Sequence, residues 1–117
     1  MLRLTHGIAL NVGDELLDLS GLARLLRELE ATPRVSAAAA ALGISYRNAW
    51  GKLVRAERLL GVALVERVKG HGSRLTEAGA ALARAGARFE REAARRLAGP
   101  ADAMAAVLDA LPRGAAT

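Results

Sequence analysis

No cysteine occurs among the 117 residues, which excludes disulfide staples and thiolate metal sites. Aromatic residues make up only 3% of the chain, and lysine is confined to Lys52 and Lys69. A core with so few large rings must come from closely packed helices carrying small side chains. No apolar stretch approaches the roughly 20 residues of a membrane span, since the alanine-rich run from Ala37 to Leu42 is closed by Gly43. The opening MLRLTHGIAL is too polar for a signal peptide, so the expectation is a cytoplasmic protein without membrane association. His6 and His71 are the only histidines and form no metal set. Neither a serine, histidine and acid constellation nor a phosphate-cradling glycine loop after a strand is legible, so no enzyme, cofactor or catalytic residue is expected.

What is present is one domain's length of chain, 52% hydrophobic, with 17 Lys and Arg against 12 Asp and Glu and a net charge of +5. Nearly all of the base is arginine, whose planar fork suits phosphate oxygens and the O6 and N7 edge of guanine. A GC-rich genome would also enrich arginine and alanine. The position of the charge therefore carries the argument, not its amount.

Residues Leu2 to Leu10 alternate loosely and predict a short strand, with Asn11, Val12 and Gly13 as a turn. From Asp14 as N-cap, Leu16, Leu17, Leu19, Leu22, Leu25, Leu26 and Leu29 recur at helical spacing until Thr32 and Pro33. Ser36 is expected to cap a short helix, AAAAAL, stopped by Gly43. Ile44 and Ser45 then staple and cap a third helix reaching Leu60. Beyond Gly61 the period changes to that of a strand through Val62, Leu64, Val65 and Val68, a KGHGS turn, and a return through Arg74 and Leu75. Thr76 caps a long helix from Glu77 to about Leu97, which Gly99 and Pro100 should end. Met104, Val107, Leu108 and Leu111 predict a last short helix before a loose tail.

The fold class expected is mainly α with a small β wing, a winged helix-turn-helix. Residues 1–97 form that domain, including a dimerisation helix over 76–97, and residues 98–117 form the short helix and tail. On a wheel of about 100° per residue, Tyr46, Ala49, Trp50, Leu53, Ala56 and Leu60 gather on one side of the third helix, and Arg47, Asn48, Gly51, Lys52, Arg55 and Arg58 on the other. Glu57 is the only acid from Ser45 to Val65 and falls near the apolar side. A helix entering a DNA major groove needs long donors for guanine, an amide for adenine, and a small residue where its backbone nears the bases. Arg47, Asn48, Lys52 and Arg55 supply the first two and Gly51 the third, unless that glycine instead admits a neighbouring element. Trp50 is expected to anchor the helix to the core. At the hairpin tip, Arg67, Lys69, His71, Ser73 and Arg74 form a basic wing able to reach phosphates or a minor groove.

The segment VSAAAAALGISYRNAWGKLVRAERLLGVALVERVKGHGSRLTEAGAAL resembles the LysR-like winged helix. Within that group it looks most like the N-terminal DNA-binding domain of the molybdate-responsive ModE regulators. GISYRNAW, LVER and LTEAG carry the resemblance, and the leading strand ending in GIAL fits the ModE side. It implies a dimer that offers two recognition helices, residues 45–60, to successive major grooves of double-stranded DNA. It adds Ser36, Ser45 and Tyr46 to Arg47 and Asn48 as base or phosphate contacts, although the wheel places Tyr46 near the core side. The KGHGS wing is shorter than that of ModE. No room remains in 117 residues for molybdate-binding domains, so molybdate sensing is not carried over, and any signal would arrive through a separate effector-sensing partner. Small residues along the long helix, with Leu82 and Phe89 as anchors, predict a homodimer interface of Leu17, Leu82, Ala85, Phe89 and Ala93. The alternative is a winged-helix protein-interaction module that no longer binds DNA.

Overall fold

Val12 and Glu15 face each other across a two-residue loop, Gly13–Asp14, that folds the N-terminal region into an antiparallel hairpin. Gly13 has φ +60°, which a two-residue hairpin loop with glycine first demands and a β-carbon would resist. The strands are β1 (Ala9–Val12) and β2 (Glu15–Asp18). This corrects the expected strand over Leu2 to Leu10, of which only the last two residues belong to β1. Leu2 lies outside the described residues, which in this computed structural model are 4–112 and 114. It also corrects the helix start. Leu16 and Leu17 belong to β2 and point to opposite faces, 59% and 5% exposed. Asp18, not Asp14, caps α1 (Leu19–Ala31), its Oδ1 accepting the Gly21 N–H at 3.0 Å. Leu17 sits in the core, so its expected place in a dimer interface is overturned.

Four helices follow: α2 (Val35–Leu42), α3 (Tyr46–Leu60), α4 (Glu77–Arg96) and α5 (Ala98–Ala110). Between α3 and α4 stands the second hairpin, β3 (Val65–Val68) and β4 (Gly72–Leu75), paired Val65↔Leu75 through Val68↔Gly72. Ser36 does not cap α2. The N-cap is Arg34, without a side-chain bond, because the helix begins two residues earlier than expected, at Val35. Gly43, at φ +70°, ends α2 in the left-handed conformation that reverses the chain into α3.

One core joins these elements. Leu25, Leu26 and Leu29 of α1, Leu53 of α3 and Leu64 before β3 are fully buried. Each such leucine contributes about 1.5–3 kcal/mol through its removal from water. Ala38, Ala39, Ala49 and Ala56 fill the spaces between α1, α2 and α3, where larger side chains would hold the helices apart. Against α1 lies α4, with Gly86 so close to Ala23 that no β-carbon fits between them. Glu90 accepts from Arg24 Nε at 2.8 Å and Arg27 Nη2 at 2.9 Å, clasping the two helices.

Gly99 and Pro100 do not stop α4, as expected, but lie in the first turn of α5. A proline there lacks only an N–H that the helix leaves unpaired anyway. The break falls at Leu97 alone. No residue of α5 is buried, and Met104 and Val107 stand exposed.

Candidate nucleic-acid interface

Ser45 takes extended backbone angles and accepts the Asn48 N–H on its Oγ at 3.0 Å, fixing where α3 begins. Ala49, Leu53 and Ala56 pin the underside of the helix, and Trp50 is half-buried beside them. The opposite face carries Arg47, Asn48, Gly51 and Lys52, all exposed. A β-carbon on Gly51 would meet nothing within 4 Å, so this glycine makes no room for a neighbouring element of the chain. Open space in front of it is what a backbone approaching an external surface needs. Tyr46 is 55% exposed, not on the core side where the wheel set it, because the first turn of α3 projects past the core.

The second half of the same face is engaged. Arg55 Nη2 donates to the Leu16 carbonyl at 2.9 Å, and Arg58 Nη1 stands 3.5 Å from Glu15 Oε2. Glu57 Oε2 accepts the Leu64 and Val65 N–H groups at 2.7 and 3.3 Å, so the one acid of this region holds the entry to β3 and leaves the basic face uncompensated by its own helix.

The wing divides in the same way. Lys69 and His71 are exposed at its tip, closed by the His71 N–H donating to the Val68 carbonyl at 2.8 Å. Arg74 donates to Glu66 across the strands. Arg67 lies 4.6 Å from the Trp50 ring centroid, and Tyr46 meets that ring edge-on at 6.3 Å. Ser73 was expected on the basic surface, yet it is 6% exposed, because β4 crosses the start of α2 and the Ser73 N–H donates to the Pro33 carbonyl at 2.9 Å.

That crossing creates a cleft of about 210 Å³ bounded by Arg34, Ser36, Tyr46, Trp50 and Arg67. With Ser73, which also lines it, the cleft gathers two guanidiniums, three hydroxyls and the uncapped start of α2, a set of groups suited to an anion. Arg34 is not among the residues the sequence singles out, because serine is the residue type that ordinarily caps a helix and Ser36 stands two positions on.

Of the residues expected at a dimer surface, Ala85 is exposed and Phe89 half-buried, whereas Ala93 is buried within the chain and Leu82 packs on its own core. Ala93 is therefore not available to a partner as expected. Among the described residues no group of three His, Cys, Asp or Glu is placed to hold a metal ion, and no helix is long and apolar enough to cross a membrane.

The bacterial regulatory helix-turn-helix model of the LysR family matches residues 20–80, from the start of α1 into α4. The chain belongs to the LysR family. The DNA-binding domain of CbnR in complex with DNA is 28% identical, with a TM-score of 0.60 over 74% of this chain and 97% of that one. Full-length CbnR complexed with its target DNA is 27% identical, with a TM-score of 0.59 over 72% of this chain and 28% of that one. VV2_1132, a LysR family regulator at 20% identity and a TM-score of 0.56 over 71% of this chain and 27% of that one, shares the fold. This LysR chain thus spans less than a third of the full-length regulators it matches. No curated protein matches it by sequence.

Proposed function

We propose that this LysR-family chain is the DNA-binding part of a transcription regulator that reads double-stranded DNA in the major groove. The observation that carries this reading is the first half of α3. Arg47, Asn48 and Lys52 project outward around the open backbone of Gly51, with Ser45 and Tyr46 at the helix start. Arginine and lysine suit guanine, asparagine suits adenine, and residues at the start of a recognition helix are those that meet base edges. CbnR, at 28% identity, forms a complex with DNA through its corresponding domain, which supports the same use here. The wing tip, Lys69 and His71, and the Arg34, Ser36 and Arg67 cleft are the phosphate contacts of this reading.

The working form is a homodimer, with Ala85 and Phe89 of α4 at the contact and half-sites about 34–36 Å apart, one helical turn. The GISYRNAW octet supports a ModE-like branch within this reading, with any effector sensed through a separate partner.

Selection of bound fragments from random DNA, followed by gel retardation with Arg47→Ala and Asn48→Ala, tests it. The expected result is one enriched motif and a loss of roughly 1–3 kcal/mol of discrimination per variant. No enriched motif and no retarded duplex would favour the interaction module instead, and binding that ignores both substitutions would show that the first half of α3 does not read the bases.

A further inference from the structure

The β1–β2 hairpin precedes the segment matched by the family model and is laid along the second half of the recognition helix. Residues 9–18 contain Asp14, Glu15 and Asp18 and no cation. The hairpin is rigidly seated, because Leu17 is buried in the core, Leu10 packs against it, and the Ile8 N–H donates to Ser20 Oγ at 2.8 Å. Facing α3, the Leu16 carbonyl takes the Arg55 guanidinium and Glu15 lies beside Arg58.

We propose that this hairpin is an electrostatic guard on the recognition helix: it withdraws Arg55 and Arg58 from DNA phosphates, so that the second half of α3 adds nothing to the protein's hold on DNA of arbitrary sequence. The inference rests on the DNA-binding reading above. Arg47 and Arg58 are separated by about 16 Å of helix, and groove reading needs only the leading part. Without the hairpin, both trailing arginines would be available to any phosphate. With it, a backbone approaching that side meets carboxylates well within the Debye length of about 10 Å at 0.1 M salt. Non-specific affinity comes almost wholly from such charge contacts, and a genome offers a vast excess of non-specific sites. Lowering that affinity while sparing Arg47, Asn48 and Lys52 raises the ratio of specific to non-specific binding. Arg55 is accordingly a positioning residue that ties the guard to the helix.

The test is Asp14→Asn combined with Glu15→Gln, which leaves the Asp18 cap and the Arg55 to Leu16 bond in place. Binding to a short random-sequence duplex is followed by fluorescence anisotropy over a salt series. The expected result is several-fold tighter binding at low salt and a log–log slope steeper by about 0.9, one further phosphate. Adding Arg58→Gln should abolish the gain, while Arg58→Gln alone should leave the wild-type slope as it is. Unchanged affinity in the double variant, or a shallower slope for Arg58→Gln alone, overturns the guard while leaving DNA binding intact. Weaker binding by the double variant overturns it too, since the carboxylates would then be touching DNA. A wild-type protein that binds neither random nor selected duplex overturns the DNA reading and the guard with it.

Discussion

The Arg67 guanidinium lies over the Trp50 indole, 4.6 Å from the ring centroid, and so joins the first strand of the wing to the recognition helix. Trp50 is more than an anchor beneath α3. Its ring also meets Tyr46 edge-on, while the enclosed indole Nε1 finds no acceptor among the described residues. A double-mutant cycle of Trp50→Leu and Arg67→Met, read by urea unfolding, should give a coupling of about 0.5–1 kcal/mol, the range of partly exposed cation–π pairs. Strictly additive effects would show that the wing is not tied to α3 by this stack.

Two helical glycines should respond oppositely to alanine. At Gly51 the added methyl meets nothing, so Gly51→Ala should raise stability by up to about 1 kcal/mol through helix propensity while weakening DNA binding. At Gly86 it collides with the Ala23 Cβ, and pushing α4 from α1 should cost about 1–3 kcal/mol despite the same propensity gain. Thermal unfolding and gel retardation of both variants separate packing from recognition. Undiminished DNA binding by Gly51→Ala would remove the close-approach role.

Burial alone would raise the pKa of Glu90, but the hydrogen bonds and charges of Arg24 and Arg27 outweigh it and hold the carboxyl below its usual value. A carboxylate whose pKa is lower folded than unfolded adds stability above its unfolded pKa, and that stability is lost as pH falls through the folded value. The α1–α4 clasp should therefore weaken in the acid range below about pH 4.5, the usual carboxylate region. Glu90→Gln should unfold more easily at neutral pH and show a smaller loss on acidification. Equal acid sensitivity in the two proteins would contradict this.

Local chemistry was legible in the sequence where one residue decides it. Ser45 and Thr76 cap the helices expected of them, and Gly43 makes the turn between α2 and α3. The first hairpin was misread because Leu16, Leu17, Leu19 and Leu22 imitate helical spacing across a strand-to-helix boundary. Gly13–Asp14 between alternating residues was the contrary sign. Arg55 on Leu16, Arg67 on Trp50 and Glu90 on Arg24 and Arg27 join residues distant in the chain, and periodicity carries no information about such pairs. The outward half of α3 was legible because Ala49, Leu53 and Ala56 define the buried side unambiguously.

Ser45 offers a way to separate helix stability from phosphate contact. Its Oγ caps α3 through the Asn48 N–H while standing exposed at the proposed groove entrance. Ser45→Ala removes the cap and should cost about 0.5–2 kcal/mol in unfolding free energy. Aspartate caps as well as serine and is favoured by the positive end of the helix, so Ser45→Asp should unfold like the wild type. It nevertheless sets a full negative charge where a DNA phosphate or base edge would arrive, and binding should fall steeply and lose much of its salt dependence. Wild-type affinity in Ser45→Asp, with wild-type stability, would mean that the start of α3 does not face DNA.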